Sequence, residues 1–302
     1  MEPIRRLDDG TICEGGDGCH PIKVFVLDTG IWVDYQGNEL NINETLSKDF
    51  TGNTKTPAWN DGHGHGTHCS GTIGATKNGS GIVGVVPGVH VVAVKVLSDR
   101  GSGSSSGVIA GIDYAASVAR PGDVISMSLG GGQYGPEDQA VINAWKNHGV
   151  LFALAAGNES SDASGSSPAN AGLINPTDGV FTVSAVGKTT SQECSGYHDQ
   201  GVVNASFSNY SPGIAVGAPG VAVKSIVNGG SMATWNGTSM ATPHVAAWLG
   251  AKDTGVRVEM VNGVYETASF EGSAGIHQCG FRVMTCDSSP DNVGEPLWAV
   301  NA

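Results

Sequence analysis

The stretch that decides how this chain is organised joins a small-residue turn to an apolar, helix-like segment: Asn236-Gly237-Thr238-Ser239-Met240-Ala241-Thr242-Pro243-His244-Val245-Ala246-Ala247. Ser239 stands where the helix would begin, and the first N–H groups of a helix have no partner within it. A serine there either caps the helix or presents its hydroxyl as a nucleophile beside those donors. Pro243 is expected in the first turn, where its missing N–H costs little. The stretch alone leaves capping and catalysis open.

The composition predicts one globular domain that covers residues 1–302. Hydrophobic residues make up 39% of the chain, enough for a large core, and no change in composition divides it. The formal net charge of −13 argues against nucleic-acid and anionic-membrane partners. No run approaches the ~18 consecutive apolar residues of a membrane span. We therefore expect a soluble monomer without nucleic-acid or membrane partners.

The cysteines and the chain start bear on the cellular compartment. No apolar stretch of signal-peptide length follows the first residues, so no targeting segment is visible. Two pairs of cysteines are each close enough in sequence to close a small disulfide loop: Cys13 with Cys19, and Cys279 with Cys286. Such pairs favour an oxidising, extracellular compartment, and unpaired thiols are the alternative.

Short apolar runs separated by helix-like segments predict an α/β fold. The runs are mostly continuous rather than alternating, as expected for strands covered on both faces, and they lie at 24–27, 91–97, 124–129, 150–155, 180–186 and 214–216. Segments 106–119 and 136–147 have apolar residues three or four apart, which is typical of helices. This alternation predicts three α/β/α layers around a mostly parallel central sheet.

Polar residues follow three of these runs at their carboxyl ends. Asp28 ends the first, Ser128 and Gly130 close the third, and Asn158 follows the fourth. The functional site of such a sheet lies beyond the carboxyl ends of its strands, so these groups are expected at one edge. Taken alone, Asp28 is more often a turn or cap residue than a catalytic one.

A glycine-spaced histidine cluster leads into another helix-like segment: Asp61-Gly62-His63-Gly64-His65-Gly66-Thr67-His68-Cys69-Ser70-Gly71-Thr72. A metal hydrolase is one interpretation, because three histidines and a cysteine are potential ligands. A helical zinc protease, however, uses two histidines four residues apart with an adjacent glutamate, and this cluster lacks that pattern. The sequence therefore disfavours a metal site here.

Three segments in this order resemble the subtilisin-like serine proteases, or subtilases, and within them the subtilisin and proteinase K groups. They are Val26-Leu27-Asp28-Thr29-Gly30-Ile31, Gly64-His65-Gly66-Thr67-His68-Cys69, and the stretch around Ser239; Ala155-Ala156-Gly157-Asn158-Glu159 is similar to the family's oxyanion segment. The resemblance covers about residues 22–247 and implies a subtilisin-like fold. Residues 256–302 form a divergent C-terminal region.

The resemblance implies a secreted serine endopeptidase in which Asp28, His65 and Ser239 are the catalytic triad and Asn158 stabilises the oxyanion. A serine hydroxyl needs an imidazole to take its proton, and the imidazole needs a carboxylate to fix its tautomer. The order Asp, His, Ser is that of subtilisin and differs from that of the α/β-hydrolases. A non-catalytic subtilase-like binding protein is the alternative, and the complete set of four residues argues against it.

By the same resemblance, two segments hold an extended protein or peptide substrate as a strand between them: Gly101, Ser102 and Gly103, and Ser128, Leu129 and Gly130. Hydrogen bonds between backbones do not depend on the side chains of the substrate, so the expected specificity is broad. Ala156, Gly157 and Ala169 are also assigned to substrate binding. Segment 166–169 resembles the floor of the pocket for the side chain before the scissile bond, with room for a large apolar or aromatic group. Glu159 is expected at its rim.

Segment 76–82 has the length of the family's calcium loop. The resemblance makes Glu39, Thr76, Asn78, Ser80 and Ile82 the candidate ligands of a structural calcium ion, because carboxylate, carbonyl and amide oxygens suit this hard cation. A plain surface turn is the alternative, since Asn-Gly is itself a turn signal.

The resemblance weakens after Val245. The family continues there with a long helix of small residues, whereas here we expect the helix to break off near Gly250, within about two turns. Segment 188–203, which contains Cys194, is similar to an insertion. The helix that carries Ser239 is therefore predicted to be short and held by unfamiliar packing.

Overall fold

The computed structural model describes residues 5–6, 12–13, 22–33, 39–55, 57–132, 135–174, 179–188, 202–214, 216–251 and 282–283. Its helices are α1 His65–Gly74, α2 Ser105–Val118, α3 Pro136–His148, α4 Asn170–Ile174 and α5 Thr238–Ala251, with 3-10 turns at Ala163–Gly165 and Asn228–Gly230. Its strands are β1 Arg5–Arg6, β2 Ile12–Cys13, β3 Lys23–Asp28, β4 Asn41–Ile42, β5 Lys48–Asp49, β6 His90–Lys95, β7 Val124–Met127, β8 Leu151–Ala155, β9 Val180–Lys188, β10 Val202–Asn204, β11 Val216–Pro219, β12 Val223–Ile226, β13 Met232–Trp235 and β14 Arg282–Val283.

A ten-stranded sheet in the order β14-β11-β9-β8-β7-β3-β6-β4 forms the centre of the molecule, with β10 beside β9 and β5 beside β6. All of its strand pairs are parallel except β9 with β10, which are antiparallel. The predicted insertion 188–203 begins at the end of β9 and finishes within β10. The apolar runs predicted as buried strands are confirmed in β3, β6, β7, β8 and β9. The run 214–216 differs, because its strand begins only at Val216.

Helices cover both faces of this sheet. Val24 and Val26 of β3 pack into one core with residues of α1 and α5, while Phe25 and Leu27 pack into a second core with α2 and α3. Successive side chains of a strand point to opposite faces, so one strand contributes to both cores. The predicted three-layer α/β/α arrangement is confirmed. No helix in the described part of the chain is both long enough and apolar enough to span a membrane.

The helix that carries Ser239 is described as far as Ala251. Helix α5 has 14 residues and includes Gly250, so its described part ends beside the position at which the break is predicted. A Cβ atom at Gly250 would lie 3.1 Å from Ile22 Cγ2 and 3.7 Å from Val124 Cγ2. Glycine at this position lets the helix pack closely on the sheet.

Hairpin β12–β13 was not predicted. Its strands are antiparallel and pair only with each other among the described strands. Part of each strand is exposed, so their apolar residues are interspersed with polar ones and form no continuous run. The hairpin places Trp235 beside the amino-terminal end of α1.

Candidate active site

Asp28 and His65 are in direct contact. Asp28 ends β3 and is fully buried, and His65 is the first residue of α1. Nδ1 of His65 lies 2.8 Å and 2.9 Å from the two carboxylate oxygens of Asp28. An ionised carboxylate only accepts hydrogen bonds, so Nδ1 carries the proton and Nε2 is the basic nitrogen.

The protonation of His65 depends on three influences. Burial works to lower the pKa of His65, but the charge and hydrogen bond of Asp28, with the charge of Asp61, outweigh it and raise this pKa above its ordinary value of 6.5. The site therefore stabilises the imidazolium form of His65, which is what a base needs after it has taken a proton.

The turn before α1 is held by Asp61. Its Oδ1 accepts from the backbone N–H groups of His63 (2.8 Å) and Gly64 (2.9 Å), and its Oδ2 accepts from the backbone N–H (3.0 Å) and hydroxyl (2.7 Å) of Thr67. A Cβ atom at Gly66 would lie 2.2 Å from the carbonyl oxygen of Gly30. The glycine spacing of the motif thus lets α1 start against the end of β3.

Ser239 is the second residue of α5 and lines the same cleft as His65, a cleft of about 910 Å³. Its hydroxyl donates to the carbonyl oxygen of Ser128 at 3.2 Å. Among the hydrogen bonds of the described residues, none joins Ser239 to His65. Catalytic hydrogen bonds are often long or absent without substrate, so this geometry is compatible with a resting nucleophile.

Pro243 lies in the second turn of α5, not in the first as predicted. Because proline has no N–H, the carbonyl oxygen of Ser239, four residues earlier, has no donor within the helix. This oxygen instead accepts from the hydroxyl of Ser128 at 2.9 Å and the thiol of Cys69 at 3.4 Å. Burial raises the pKa of Cys69 well above its ordinary value, so the thiol keeps its proton. Pro243 thereby lets two neighbouring elements hold the backbone of Ser239.

Asn158 is oriented by Thr238. Its side-chain oxygen accepts from the backbone N–H of Thr238 at 2.8 Å and from the Thr238 hydroxyl at 3.1 Å. The Nδ2 group of Asn158 makes no hydrogen bond to any described residue, and Asn158 lines the cleft with Ser239. The N–H groups of Nδ2 are thus available to a ligand in the cleft that Ser239 also lines.

Six of the nine residues predicted to bind substrate line the cleft: Gly101, Ser102, Gly103, Ser128, Leu129 and Gly130. The other three, Ala156, Gly157 and Ala169, are not among its lining residues, and both alanines are buried. Ser167 and Pro168 of the predicted pocket floor do line it. The carboxylate of Glu159 accepts from Asn209 Nδ2 at 2.7 Å and is not part of the lining.

The three histidines of the motif take different environments. His63 is exposed and lines the cleft, with its ring centroid 6.3 Å from that of His65. His68 is buried, stacks on Trp235 at 4.6 Å, and burial lowers its pKa to about 4. The closest group of potential ligand atoms among the described residues is Asp28, His65 and Cys69, within 4.8 Å of one another. The three imidazoles therefore do not converge as the metal interpretation requires.

Three of the five candidate calcium ligands are in contact: Glu39, Thr76 and Asn78. Asn78 Nδ2 donates to Glu39 Oε1 at 3.2 Å, and the backbone N–H of Thr76 donates to the carbonyl oxygen of Glu39 at 2.9 Å. Glu39 Oε2 is buried and has no hydrogen-bond partner among the described residues. Ile82 is buried beneath the loop.

One supporting residue of the site was not found from sequence. Asn209 Nδ2 donates to the carbonyl oxygen of Ala156 at 2.9 Å, and Asn209 Oδ1 accepts from the N–H groups of Glu159 (2.9 Å) and Ser161 (3.0 Å). Asn209 thus holds the segment that carries Asn158 from both sides. Its sequence context, Phe-Ser-Asn-Tyr-Ser, offers no signal beyond that of a turn.

Comparisons with known proteins agree with this geometry. The model of the subtilase family matches residues 20–266. Alkaline serine exoprotease A of Vibrio alginolyticus is 41% identical over 228 residues, which are 74% of this chain and 37% of that protein. Subtilisin of Bacillus pumilus is 36% identical over 257 residues, which are 84% of this chain and 86% of that protein. The chain spans about half the length of several other curated relatives.

A solved structure is similar in fold as well as in sequence. The crystal structure of a cold-adapted subtilisin-like serine proteinase is 37% identical and gives a TM-score of 0.61, covering 82% of this chain and 80% of that chain. This similarity confirms the predicted subtilisin-like fold class.

Proposed function

This chain belongs to the subtilase family, and we propose that it is a serine endopeptidase that hydrolyses peptide bonds in proteins through an acyl-enzyme on Ser239. The observation that carries the proposal is the contact between buried Asp28 and His65, at the edge of a cleft that Ser239 also lines. A carboxylate, an imidazole and a hydroxyl in this arrangement are the parts of an activated serine nucleophile.

Acylation begins when the Ser239 hydroxyl turns from the carbonyl oxygen of Ser128 towards His65. Oγ attacks the carbonyl carbon of the substrate, and its proton passes to Nε2 of His65 while Asp28 stabilises the imidazolium. The tetrahedral intermediate then collapses: the carbon–nitrogen bond breaks, the leaving amine takes the proton from His65, and the acyl group remains on Ser239.

Deacylation repeats these steps with water. His65 takes a proton from the water, whose oxygen attacks the acyl carbon. The bond from that carbon to Ser239 Oγ then breaks, and Oγ recovers the proton from His65. The enzyme returns to its starting state with the peptide bond hydrolysed.

The oxyanion of each tetrahedral intermediate accepts hydrogen bonds from Asn158 Nδ2 and from the backbone N–H of Ser239. Thr238 supports this role, because its N–H and hydroxyl both donate to the side-chain oxygen of Asn158. The Nδ2 group of Asn158 therefore points away from Thr238. Donors that are already in place need no reorganisation as the charge develops, which makes them effective in catalysis.

The cleft suits an extended polypeptide. Segments 101–103 and 128–130 both line it, and each offers backbone groups to a substrate strand laid between them. We infer broad specificity from this backbone pairing. Small residues at Ser167 and Pro168 leave room for a large apolar or aromatic side chain before the scissile bond.

We also propose that the protein is secreted and acts as a monomer on protein or peptide substrates. The support for secretion is that Cys13 lies close in sequence to Cys19, and Cys279 to Cys286. Each two could close a small disulfide loop, which is typical of secreted proteins. Four cysteines, Cys19, Cys194, Cys279 and Cys286, lie outside the described residues, and of Cys13 only the backbone in β2 is described. Cys69 is a buried, free thiol.

A structural calcium ion at segment 76–82 is part of the proposal. The buried Oε2 of Glu39 without a described hydrogen-bond partner fits a carboxylate that binds a hard cation. Glu39 would hold the ion together with the carbonyl oxygens of Thr76, Ser80 and Ile82. The Asn78 amide oxygen, which accepts from the backbone N–H of Ser80 at 3.0 Å in this structure, would be a further ligand. Bound there, calcium would neutralise the carboxylate and join the loop to the segment that carries Glu39.

The proposal is tested by comparing the wild type with Ser239→Ala on casein and on chromogenic peptides. We expect the variant to lose up to ~10⁶ in turnover while keeping its melting temperature, since only a hydroxyl at a partly buried position in the cleft is removed. Ser117→Ala is the matched control, because Ser117 is exposed on α2 and outside the cleft. Equal hydrolysis by the wild type and Ser239→Ala would reject the proposed function.

A further inference from the structure

Among the described residues, one carboxylate makes the hydrogen bonds that join the exposed turn of Gly101, Ser102 and Gly103 to other segments of the protein. We propose that this carboxylate, Asp99, is a positioning residue that holds segment 101–103 in place for extended substrates. The inference rests on the proposed function, because it assigns a role within the same cleft.

Apart from Asp99, the turn is held by hydrogen bonds within its own backbone and by packing of Gly103 on Val96 and of Gly101 on His63. Ser98 N–H donates to the carbonyl oxygen of Ser102 at 2.8 Å, and Gly101 N–H donates to that of Ser98 at 2.9 Å, which closes a compact turn. Residues 100–106 are all exposed, so none of their side chains anchors the turn in a core. Hydrogen bonds within a turn fix its shape but not its position against the rest of the cleft.

Asp99 supplies that attachment through three partners on separate segments. Its Oδ1 accepts from Lys95 Nζ at 2.9 Å and from the backbone N–H of Gly62 at 3.2 Å, and its Oδ2 accepts from Lys55 Nζ. Lys95 is fully buried at the end of β6, and its Nζ also donates to the carbonyl oxygen of Thr29. One side chain thus links the turn to the sheet and to the histidine motif.

Two further observations show that this contact is close and charged. A Cβ atom at Gly62 would lie 2.3 Å from Asp99 Cγ, so a side chain at position 62 would displace the carboxylate from this place. Burial works to raise the pKa of Asp99, but Lys55 and Lys95 outweigh it and lower this pKa to about 2. Asp99 is therefore ionised at any pH at which the enzyme would act.

The position of His65 does not depend on Asp99. The turn before α1 is held separately by Asp61, which accepts four hydrogen bonds from His63, Gly64 and Thr67. Loss of the Asp99 carboxylate should therefore displace segment 101–103 and leave the contact between Asp28 and His65 intact. The expected kinetic effect is on substrate binding, not on the chemical step.

The test compares wild type and Asp99→Asn on two substrates. A tetrapeptide anilide extends along segment 101–103, whereas an N-acyl ester of one amino acid occupies only the pocket next to Ser239. We expect kcat/KM for the tetrapeptide to fall about tenfold, mainly through KM, and that for the ester to change less than about twofold. Equal losses on both substrates, or an unchanged KM for the tetrapeptide, would overturn the inference.

Two more variants keep the test decisive. Lys55→Gln removes the exposed partner and keeps Lys95 and Gly62, so its loss on the tetrapeptide should stay below about threefold. If Asp99→Asn fails to fold because Lys95 is left buried without a counter-charge, the double variant Lys95→Met/Asp99→Asn removes that charge. It should show the same KM effect on the tetrapeptide, and a wild-type KM in this folded double variant would contradict the inference.

A binding measurement separates this inference from the proposed function. In the Ser239→Ala background, Asp99→Asn should weaken binding of an uncleaved tetrapeptide about tenfold and leave binding of an N-acyl amino acid unchanged. Failure of the wild type to hydrolyse any substrate would reject the proposed function alone. An unchanged tetrapeptide affinity in the double variant Ser239→Ala/Asp99→Asn would reject only the role of Asp99.

Discussion

The edge of the cleft that we propose is catalytic and the turn that we propose binds substrate are built in different ways. Asp28, His65 and Ser239 stand at the ends of a strand and two helices whose other residues are packed in the core. Segment 101–103 belongs to an exposed stretch and is attached through Asp99. Burial thus fixes the groups proposed to react, whereas a small polar network holds the backbone proposed to pair with substrate.

This contrast predicts that substitutions at the two places affect different kinetic constants. On the catalytic edge they should lower kcat, because they remove interactions made only in the transition state. At the turn they should raise KM for extended substrates. The predictions below test this division, beginning with the largest effect.

Asp28→Asn should lower kcat by ~10⁴, since the amide cannot hold His65 in the required tautomer. The variant should also lower the pKa of His65. Burial lowers this pKa, the charges of Asp28 and Asp61 raise it, and the substitution removes the charge of Asp28. Only neutral His65 can take the serine proton, so the acid limb of the residual activity should move to lower pH. NMR titration of His65 in the Ser239→Ala background measures the shift directly.

Asp99→Asn is the natural control for this variant, because it also replaces a carboxylate by an amide. A loss in kcat as large in Asp99→Asn as in Asp28→Asn would remove the distinction between the two regions. An unshifted pKa of His65 in Asp28→Asn would show that the carboxylate does not govern its protonation.

Asn158→Ala should lower kcat by about 10²–10³ with little change in KM, because it removes one donor to the oxyanion. Thr238→Val should have a smaller effect in the same direction. It removes the hydroxyl that orients Asn158 at 3.1 Å but keeps the backbone N–H that does so at 2.8 Å. Steady-state kinetics on one peptide anilide give both constants, and a pure KM effect in Asn158→Ala would argue against the assigned role.

Calcium removal should have the smallest effect on catalysis and act mainly on stability. An ion that binds only the folded protein raises the free energy of unfolding, and ~1 kcal/mol corresponds to roughly 2–4 °C in a domain of this order of size. Excess chelator should therefore lower the melting temperature of the wild type by a few degrees. Glu39→Gln should already melt lower and respond less to chelator, while an unchanged wild-type melting curve would exclude the site.

Two of the proposed catalytic residues were placed from sequence because each follows an apolar run. Asp28 ends the first strand run and Asn158 follows the fourth, so a parallel sheet brings them to one edge. The start of an apolar helix left Ser239 open as a cap or a nucleophile. The family resemblance of the combined motifs favoured the nucleophile and assigned His65.

The supporting residues were not predictable in this way. Asn209 contacts Ala156 and Glu159, more than 40 residues away, and Asp99 contacts Gly62 and Lys55. A single asparagine or aspartate in a polar segment has the sequence signature of a turn wherever its partners lie. Their roles depend on tertiary contacts between loops, which no local pattern reports.

One error in the Ser239 helix has a physical reason. Local preference placed Pro243 in the first turn, whereas in the structure it lies in the second turn and frees the carbonyl oxygen of Ser239 for Ser128 and Cys69. Tertiary contacts decide this position, and local preference does not.

The central claim is that His65 and Asp28 activate Ser239 as a nucleophile, and covalent labelling with a sulfonyl fluoride tests it most directly. We predict one sulfonyl group per chain, located on Ser239 by peptide mass spectrometry. The labelling rate should rise with pH through an apparent pKa above 6.5, the direction in which Asp28 moves the pKa of His65. The same rate in His65→Ala, or a label on any residue other than Ser239, would contradict the account.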